Sequence, residues 1–223
     1  MPINIAIDGP SGAGKSSAAK AMAKKLGYLY IDTGALYRAI GLFCIRQNVV
    51  NMKDESQVVP QLEKVDVSLR FAEGEQRVYL NGEDVSETIR TQPVAQAASD
   101  VSAHPPVRAF LLDLQRKMAA ENNVLMDGRD IGTVILPNAD VKFFLTADAA
   151  ARAKRRTLEL QAKGIAADYE TVLREIEQRD ANDSSRATAP LKAADDAVLV
   201  DNSQMDQDQT VDYMCRIIEE KIG

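Results

Sequence analysis

The chain has 223 residues and a formal net charge of −6, with 45% hydrophobic and 27% charged residues. This length suits one domain with a sizeable core, and the acidic balance argues against a nucleic-acid polymer as partner, because polyanion-binding surfaces usually carry a basic excess. No apolar run could span a bilayer and no secretory leader opens the chain, so we expect a cytoplasmic protein without membrane contact. We also expect a monomer, with a dimer through the final predicted helix as the alternative.

The first predicted strand, residues 3–7, is apolar and rich in β-branched side chains, and the first predicted helix, residues 17–26, is rich in strong helix formers. Between them, residues 9–16 fit the pattern G-x-x-x-x-G-K-[ST] in the strand–loop–helix context of a phosphate-binding P-loop. Glycines permit a tight turn and a close backbone approach, and the helix N-terminus adds partial positive charge. The complete motif disfavours a glycine turn without a ligand and predicts a nucleoside triphosphate site.

The chemistry of the loop assigns roles within it. The Lys15 side chain can reach the β- and γ-phosphates, and a hydroxyl after it can coordinate Mg²⁺, the expected cofactor with ATP. Ser16 and Ser17 both carry that hydroxyl, and the general motif favours Ser16. The predicted ATP-binding residues are Gly9, Pro10, Ser11, Gly12, Ala13, Gly14, Lys15, Ser16 and Ser17.

Strand-like and helix-like segments alternate along the rest of the chain. An antiparallel patch at residues 65–85, with a hairpin turn at Asn81-Gly82, interrupts this alternation and predicts a small insert. The other predicted strands are residues 28–31, 124–127, 141–145 and 197–200; helices are predicted at residues 35–47, from about 93, from Pro106, and at 147–163, 169–179 and 207–222, with a polar stretch at 180–188.

This alternation predicts an α/β fold in which a five-stranded parallel sheet is flanked by helices. Ligands in such folds bind at the carboxyl ends of the strands, where the P-loop, Asp32 and Asp127 all lie. Asp127 is a candidate Mg²⁺ residue acting through water, and the alternative for it is a turn aspartate before Gly128. Cys44 and Cys215 lie in apolar helical patterns, so we expect buried thiols in a reducing compartment.

Four arginines could converge on phosphate groups, which match the planar guanidinium fork. Arg38 and Arg129 closely follow predicted strand ends on the P-loop side, whereas Arg179 and Arg186 lie near the polar stretch. A solvated surface charge is the alternative for each of them. With Lys15, we predict Arg129, Arg179 and Arg186 as the catalytic residues, because phosphoryl transfer needs positioning and charge neutralisation.

These clusters together carry a resemblance that covers essentially the whole chain. The chain resembles the bacterial cytidylate kinases, which are P-loop nucleoside monophosphate kinases. The matching motifs are Ile7-Asp8-Gly9-Pro10-Ser11-Gly12-Ala13-Gly14-Lys15, Asp32-Thr33-Gly34-Ala35-Leu36-Tyr37-Arg38, Asn81-Gly82-Glu83-Asp84-Val85, Ile89-Arg90-Thr91, Asp127-Gly128-Arg129-Asp130-Ile131-Gly132-Thr133, Arg179-Asp180 and Ala189-Pro190-Leu191.

The resemblance implies MgATP-dependent phosphorylation of CMP and dCMP. It also implies a single kinase domain over residues 1–223, with a monophosphate-binding insert at 63–100 and a helical, mobile lid at 152–188. The residues that it implies at the CMP site are Thr33, Ser99, Arg108 and Asp130 near the nucleoside, Arg38, Arg129, Arg179 and Arg186 near phosphates, and Asp183 near the sugar.

The chemistry of the base edge agrees with that assignment. Cytosine presents an amino donor beside two acceptors, so Asp130 can accept from the amine while Arg108 donates to the acceptors. Uracil would place a carbonyl against the carboxylate, and unpaired buried polar groups of this kind reject an analogue. We expect moderate selectivity against UMP.

Other function classes remain open from the residues alone. Another small-molecule kinase of the same fold could act on AMP, UMP or a non-nucleotide. A GTP-dependent switch protein would carry Asn-Lys-x-Asp and Asp-x-x-Gly, and the sequence contains neither pattern. A third alternative is an ATP-binding protein without catalytic activity.

Overall fold

The computed structural model describes residues 1–72, 75–162 and 164–223. Its strands, in chain order, are β1 Asn4–Asp8, β2 Leu29–Asp32, β3 Val67–Ala72, β4 Glu75–Leu80, β5 Glu83–Asp84, β6 Val124–Asp127, β7 Val141–Thr146 and β8 Val198–Asp201. Its α-helices are α1 Lys15–Leu26, α2 Thr33–Arg46, α3 Glu55–Val58, α4 Gln92–Val101, α5 Pro105–Glu121, α6 Ala149–Ala162, α7 Tyr169–Ser184 and α8 Gln207–Ile222. Shorter helical turns span Val59–Lys64, Thr88–Arg90 and Ile131–Ile135, the last of them π-helical.

Within the described residues, five parallel strands form the main sheet in the order β2-β6-β1-β7-β8. The central strand β1 places Ile7 beside Asp127 of β6 and beside Phe143 of β7. β6 is buried along its whole length, as expected for a parallel strand covered by helices on both faces. The predicted α/β fold with a five-stranded parallel sheet is therefore confirmed, and the P-loop leaves the sheet at its centre.

Alternate residues of β1 pack against helices on opposite faces of the sheet. Ile5 and Ile7 join a core cluster with Met22 of α1 and Met214 of α8, whereas Ala6 belongs to a cluster on the other face. Full burial of side chains of this size contributes roughly 1.5–3 kcal/mol each. This packing holds α1 against the sheet and thereby fixes the position of its N-terminus beside the phosphate-binding loop.

The predicted antiparallel patch is confirmed as a three-stranded sheet, β3-β4-β5. Asn81 and Gly82 join β4 to β5 with positive φ angles of 50° and 83°, as the predicted hairpin turn requires. Val78 and Leu80 of β4 pack into a core cluster that also contains residues of α2, α4 and α5. The insert is thus attached to the helices that carry much of the candidate site, and its predicted boundaries, 63–100, stay a prediction.

α6 and α7 pack against each other around a small cluster of their own, formed by Ala153, Val172 and Ile176. The predicted end of the second helix, residue 179, was wrong, because α7 continues to Ser184 into the stretch predicted to be non-helical. Ion pairs of its last turn, described below, offset the weak helix propensity of that turn. Lys163, the predicted end of the helix at 147–163, lies within the predicted lid, 152–188, but outside the described residues.

Two helices begin two residues earlier than predicted. α1 begins at Lys15, directly after Gly14 in the left-handed conformation, and α2 begins at Thr33, where the Asp32 carboxylate accepts from the backbone N–H of Ala35 at 3.1 Å. Both starts bring side chains at the beginning of a helix next to the sheet edge.

Cys44 and Cys215 are buried free thiols, as predicted. Over the described residues, no helix combines the length and apolar character needed to cross a membrane.

Candidate active site

The loop between β1 and α1 approaches its neighbours more closely than any side chain would permit. Gly9 has a φ of +148°, and a Cβ there would lie 1.9 Å from the carbonyl oxygen of Leu145. Gly14 precedes α1 with a φ of 85°, and no side chain caps the first turn of that helix. The free N–H groups of the first turn are therefore available to an anion, as in other phosphate-binding helix N-termini.

The Lys15 side chain lies under this loop and is 5% exposed. Its ammonium group donates to the carbonyl oxygen of Pro10 at 2.8 Å. Burial, followed by the positive charge of Arg129, lowers the pKa of Lys15 to about 7, although Asp127 and Asp8 oppose that shift. A bound polyphosphate would place negative charge beside this buried ammonium.

Ser16 and Asp127 form the candidate metal site. The Ser16 hydroxyl donates to the Asp127 carboxylate at 2.8 Å, and the Tyr30 hydroxyl donates to the other carboxylate oxygen at 3.0 Å. Burial, with a smaller contribution from Asp32, raises the pKa of Asp127 to about 6. A hydroxyl beside a carboxylate is the oxygen donor set that Mg²⁺ takes in phosphate-transfer sites, so these residues fit the ion. Ser16, rather than Ser17, contacts the aspartate.

The carboxyl end of β2 supplies a second group of predicted residues. The Thr33 hydroxyl donates to the backbone carbonyl of Asp127 at 2.8 Å, which ties the start of α2 to the end of β6. Arg38, one turn into α2, pairs with the Asp32 carboxylate at 2.5 Å. Its Nε is buried and has no hydrogen-bond partner among the described residues. Because an unpartnered buried donor is costly, Arg38 has capacity for a further acceptor such as a phosphate oxygen.

Arg108 and Asp130 meet across the cleft from the P-loop. Arg108 of α5 forms a short ion pair with Asp130, donates to the backbone carbonyl of Ser102 at 3.1 Å, and lies 5.5 Å from the centre of the Tyr37 ring. The two paired side chains are only 10% and 5% exposed. The pair therefore places donors and an acceptor side by side with little exposure to solvent. Ser99 of α4 lines the same cleft.

Three arginines surround the carboxylate of Asp183 in the last turn of α7. Arg129 donates to it at 2.9 Å and Arg186 at 2.5 Å, and Asp183 is 2% exposed. Arg179 has a buried Nε that no other described residue contacts by a hydrogen bond, and burial, with the charge of Arg129, lowers its pKa to about 10. One carboxylate does not neutralise three guanidinium groups, so the cluster has excess positive charge where burial makes charge costly. An anionic ligand would remove that excess.

All of these groups open onto one cleft of about 1790 Å³. The volume exceeds the usual range for a single small-molecule site, about 300–1,000 Å³, and leaves room for two nucleotides. The predicted residues that line it are Ser11, Gly12, Gly14, Lys15, Ser16, Ser17, Thr33, Arg38, Ser99, Arg108, Asp127, Arg129, Asp130, Arg179, Asp183 and Arg186. Gly9, Pro10 and Ala13, by contrast, lie behind the surface of the cleft, where each is buried.

Sequence reasoning missed several polar residues that support the site. Arg152 of α6 donates to the carbonyl oxygen of Ser11 at 3.0 Å and pairs with Asp180 of α7 at 2.7 Å, so it joins the P-loop to the helix that carries Arg179. The Asn202 side chain donates to the carbonyl of Ala13 at 3.0 Å from the loop after β8. The sequence signal for Arg152 was its place in a basic helix. No sequence signal pointed to Asn202, because its partner Ala13 is distant in the chain.

The fold and the cleft define a class of protein. A P-loop at the centre of a parallel sheet, with a hydroxyl–carboxylate pair beside it and a cluster of arginines facing it, is the arrangement of a P-loop kinase.

The chain belongs to the cytidylate kinase family, whose model matches residues 5–220. A cytidylate kinase from Caldicellulosiruptor saccharolyticus is 48% identical over 221 residues, which cover 99% of this chain and 97% of the relative. A cytidylate kinase from Caldanaerobacter subterraneus is 50% identical over 218 residues, covering 98% and 95%. The fold is similar to that of an uncharacterized protein from Eubacterium ventriosum, with a TM-score of 0.54 and 16% identity over 99% of both chains.

Proposed function

We propose that this protein transfers the γ-phosphoryl group of MgATP to CMP or dCMP and releases ADP with CDP or dCDP. Family membership supports this reaction. The observation that carries the proposal is the division of one cleft into a P-loop side and a side where the buried pair of Arg108 and Asp130 lies near the arginines around Asp183. The first side fits a polyphosphate, and the second fits a nucleotide that has both a cytosine edge and a phosphate.

On the donor side, the loop of residues 9–17 holds the ATP phosphates. The free N–H groups at the start of α1 and the Lys15 ammonium bind phosphate oxygens. Ser16 and Asp127 would hold Mg²⁺, which would supply charge neutralisation to the phosphates of ATP. The restored negative charge around Lys15 raises its pKa again, so the lysine is an ammonium in the complex.

On the acceptor side, Asp130 accepts from the cytosine amine, and Arg108 donates to the ring acceptors. Thr33 and Ser99 complete the contacts to the nucleoside, and Asp183 accepts from a sugar hydroxyl. The monophosphate is bound by the guanidinium groups of Arg38, Arg129, Arg179 and Arg186. The unpartnered Nε atoms of Arg38 and Arg179 support this assignment, because phosphate oxygens would satisfy them.

The transfer itself requires alignment more than proton movement. A phosphate monoester has a second pKa near 6, so an anionic oxygen of CMP is available at neutral pH and needs no general base. That oxygen attacks the γ-phosphorus in line, a new P–O bond forms, and the bond from the γ-phosphorus to the bridging oxygen of ADP breaks. Arg129 aligns the acceptor, while Lys15, Arg179 and Arg186 neutralise charge in the transition state.

The helices α6 and α7 form the proposed lid. Their own small core lets them move as a unit, and Arg152 connects them to the P-loop. Closure over both nucleotides excludes water and so suppresses ATP hydrolysis. The enzyme is proposed to act as a monomer in the cytoplasm, where its two buried thiols would stay reduced.

The test is ADP release from MgATP in a coupled assay, with CMP, dCMP, UMP, AMP, GMP and shikimate as separate acceptors. We expect fast turnover with CMP and dCMP and slower turnover with UMP. Turnover confined to another acceptor would reject the assigned base recognition and identify a different small-molecule kinase. Tight GTP binding with slow, acceptor-independent hydrolysis would identify a switch protein, and no turnover at all would identify a nucleotide-binding protein.

A further inference from the structure

Asp8 is a buried carboxylate that connects the strand before the P-loop to the turn after Asp130. It is the last residue of β1, directly before the P-loop begins at Gly9, and is 3% exposed. Its two oxygens each accept a backbone N–H at 2.7 Å, one from Ile131 and the other from Gly132. These are the two residues that directly follow Asp130 in the chain, so Asp8 holds the backbone next to the base-recognition carboxylate.

The backbone of Asp130 is held from its other side as well. Its carbonyl oxygen accepts the N–H groups of Val134 at 2.9 Å and Ile135 at 3.2 Å across the π-helical turn. The bonds from Asp8 fix the beginning of this turn, and the wider π-helical loop fixes its end. The side chain of Asp130 therefore leaves a backbone with little freedom to rotate, and its carboxylate is directed at Arg108.

Gly132 can approach Lys142 and Asp8 closely because glycine has no side chain. A Cβ on Gly132 would lie 3.1 Å from Cδ of Lys142 and 3.4 Å from the Asp8 carboxylate. The turn, the carboxylate and the strand below it are thus packed tightly, and a small change in the acceptor of these two N–H groups would move the turn.

A carboxylate is the side chain whose two oxygens both accept and neither donates. An amide in the same place would direct its NH₂ group at one of the two N–H donors, and the turn would shift to relieve that contact. Burial raises the pKa of Asp8 to about 6, although the bonds from Gly132 and Ile131 oppose the shift. The charged form at neutral pH is thus maintained against burial by the turn that it organises.

We propose that Asp8 is a positioning residue for acceptor selectivity, because its carboxylate fixes the turn that directs Asp130 at the base. The inference rests on the proposed function and deepens it. Asp8 contacts neither nucleotide in this proposal; it acts through Asp130, and its effect is on the choice between cytosine and uracil.

The experiment compares Asp8→Asn with Asp140→Asn. Asp140 is a matched control, because its carboxylate accepts the backbone N–H of Asn4 at 2.7 Å at the opposite end of the same strand. For each variant, kcat and KM are measured with CMP and with UMP, together with KM for ATP, per mole of folded protein. We expect Asp8→Asn to reduce the CMP:UMP ratio of kcat/KM by about tenfold, mainly through KM for CMP, since small misplacements at a site have effects of this size.

In the same variant, KM for ATP should change less than KM for CMP, because Asp8 acts on Lys15 only through its charge, and Asp140→Asn should leave the ratio unchanged. A loss of turnover that is equal for both acceptors would overturn the proposal, because it would indicate a general structural role. Wild-type protein without CMP kinase activity would instead reject the proposed function itself, which keeps the two failures distinct.

A double-mutant cycle tests whether Asp8 acts through Asp130. In an Asp130→Ala background, Asp8→Asn should not reduce the CMP:UMP ratio further, whereas an additive loss would overturn the proposal. If Asp8→Asn does not fold, amide hydrogen exchange at Ile131 and Gly132 is measured in the wild type instead. Slow exchange at Ile131 and Gly132 supports a fixed turn, and exchange as fast as in an exposed loop overturns it.

Discussion

The two sides of the cleft are built in different ways. The proposed donor side comes mainly from one contiguous segment, residues 9–17, whose lysine donates to a carbonyl within that segment, and only the metal site adds a distant residue, Asp127. The acceptor side is assembled from side chains between Thr33 and Arg186, which lie on several helices and turns. Some of its charges are already paired, as in Arg108 with Asp130 and Arg129 with Asp183, and positive charge stays in excess around Asp183.

This difference has consequences for ligand binding. Among the described residues, Lys15 is in no ion pair, although the charges of Asp127 and Asp8 favour its ammonium form. In the proposed complex, a polyphosphate adds negative charge beside Lys15, whereas a phosphate on the acceptor side shares arginines with Asp183. The proposal therefore assigns fixed backbone geometry to the donor side and a sharing of partners to the acceptor side.

The largest expected effect concerns Lys15. Lys15→Ala removes the cation that neutralises charge on the transferred phosphoryl group, and turnover should fall at least about 100-fold, the scale for one electrostatic donor. Lys25→Ala is the control, because Lys25 lies on the same helix and loses only an exposed ion pair with Asp212. Steady-state kinetics with MgATP and CMP measures both. Near-normal turnover in Lys15→Ala would reject the assigned donor site.

An intermediate effect is expected at Asp130. Asp130→Ala removes the acceptor for the cytosine amine, so the CMP:UMP ratio of kcat/KM should fall by about tenfold or more while KM for ATP changes much less. Asp113→Ala, an exposed carboxylate on α5, should leave both quantities unchanged. If the acceptor preference survives in Asp130→Ala, the two sides are not separable in the way that their construction indicates.

The smallest effect is one of stability. The folded-state pKa of Lys15 is lowered to about 7 from the usual 10.5, so the unfolded chain binds more protons between these values, and the stability of the free protein should rise with pH over that window. Lys15→Met has no ammonium group to bury, so this loss of stability is absent from the variant. Its Tm should exceed that of the wild type at pH 7 by about 2–4 °C, as for a gain of 1 kcal/mol, and the gap should narrow at pH 9.

The measurement is thermal unfolding of the wild type and of Lys15→Met without nucleotide, at pH 7 and at pH 9. Lys25→Met is the control, because the hydrogen bond that Lys25 donates to Asp212 raises the pKa of Lys25 rather than lowering it. A Tm gap that stays constant with pH would contradict the titration of Lys15 as the cause, and the greater stability of an inactive variant would confirm that the donor side holds charge at a cost.

The sequence by itself determined the donor side, the alternation of strands and helices, and the antiparallel patch. Each of these depends on neighbours in the chain: a glycine loop between a strand and a helix, apolar periodicity, or a turn such as Asn81-Gly82. The arginines of the acceptor side were predicted from their chemistry and their place in the chain, whereas its nucleoside and sugar contacts were predicted from a family resemblance, because contacts between distant segments leave no local pattern.

Only the tertiary structure decided which polar groups meet. Asp8 and Ile131 are 123 residues apart, and no local pattern in β1 indicates that its last carboxylate holds a turn beyond β6. The end of α7 was misjudged for the same reason, since Asp183 is stabilised by Arg129 from 54 residues away. Helix propensity and periodicity report on local energy, whereas these contacts depend on which strands are adjacent in the sheet, and that order is set by packing of the whole chain.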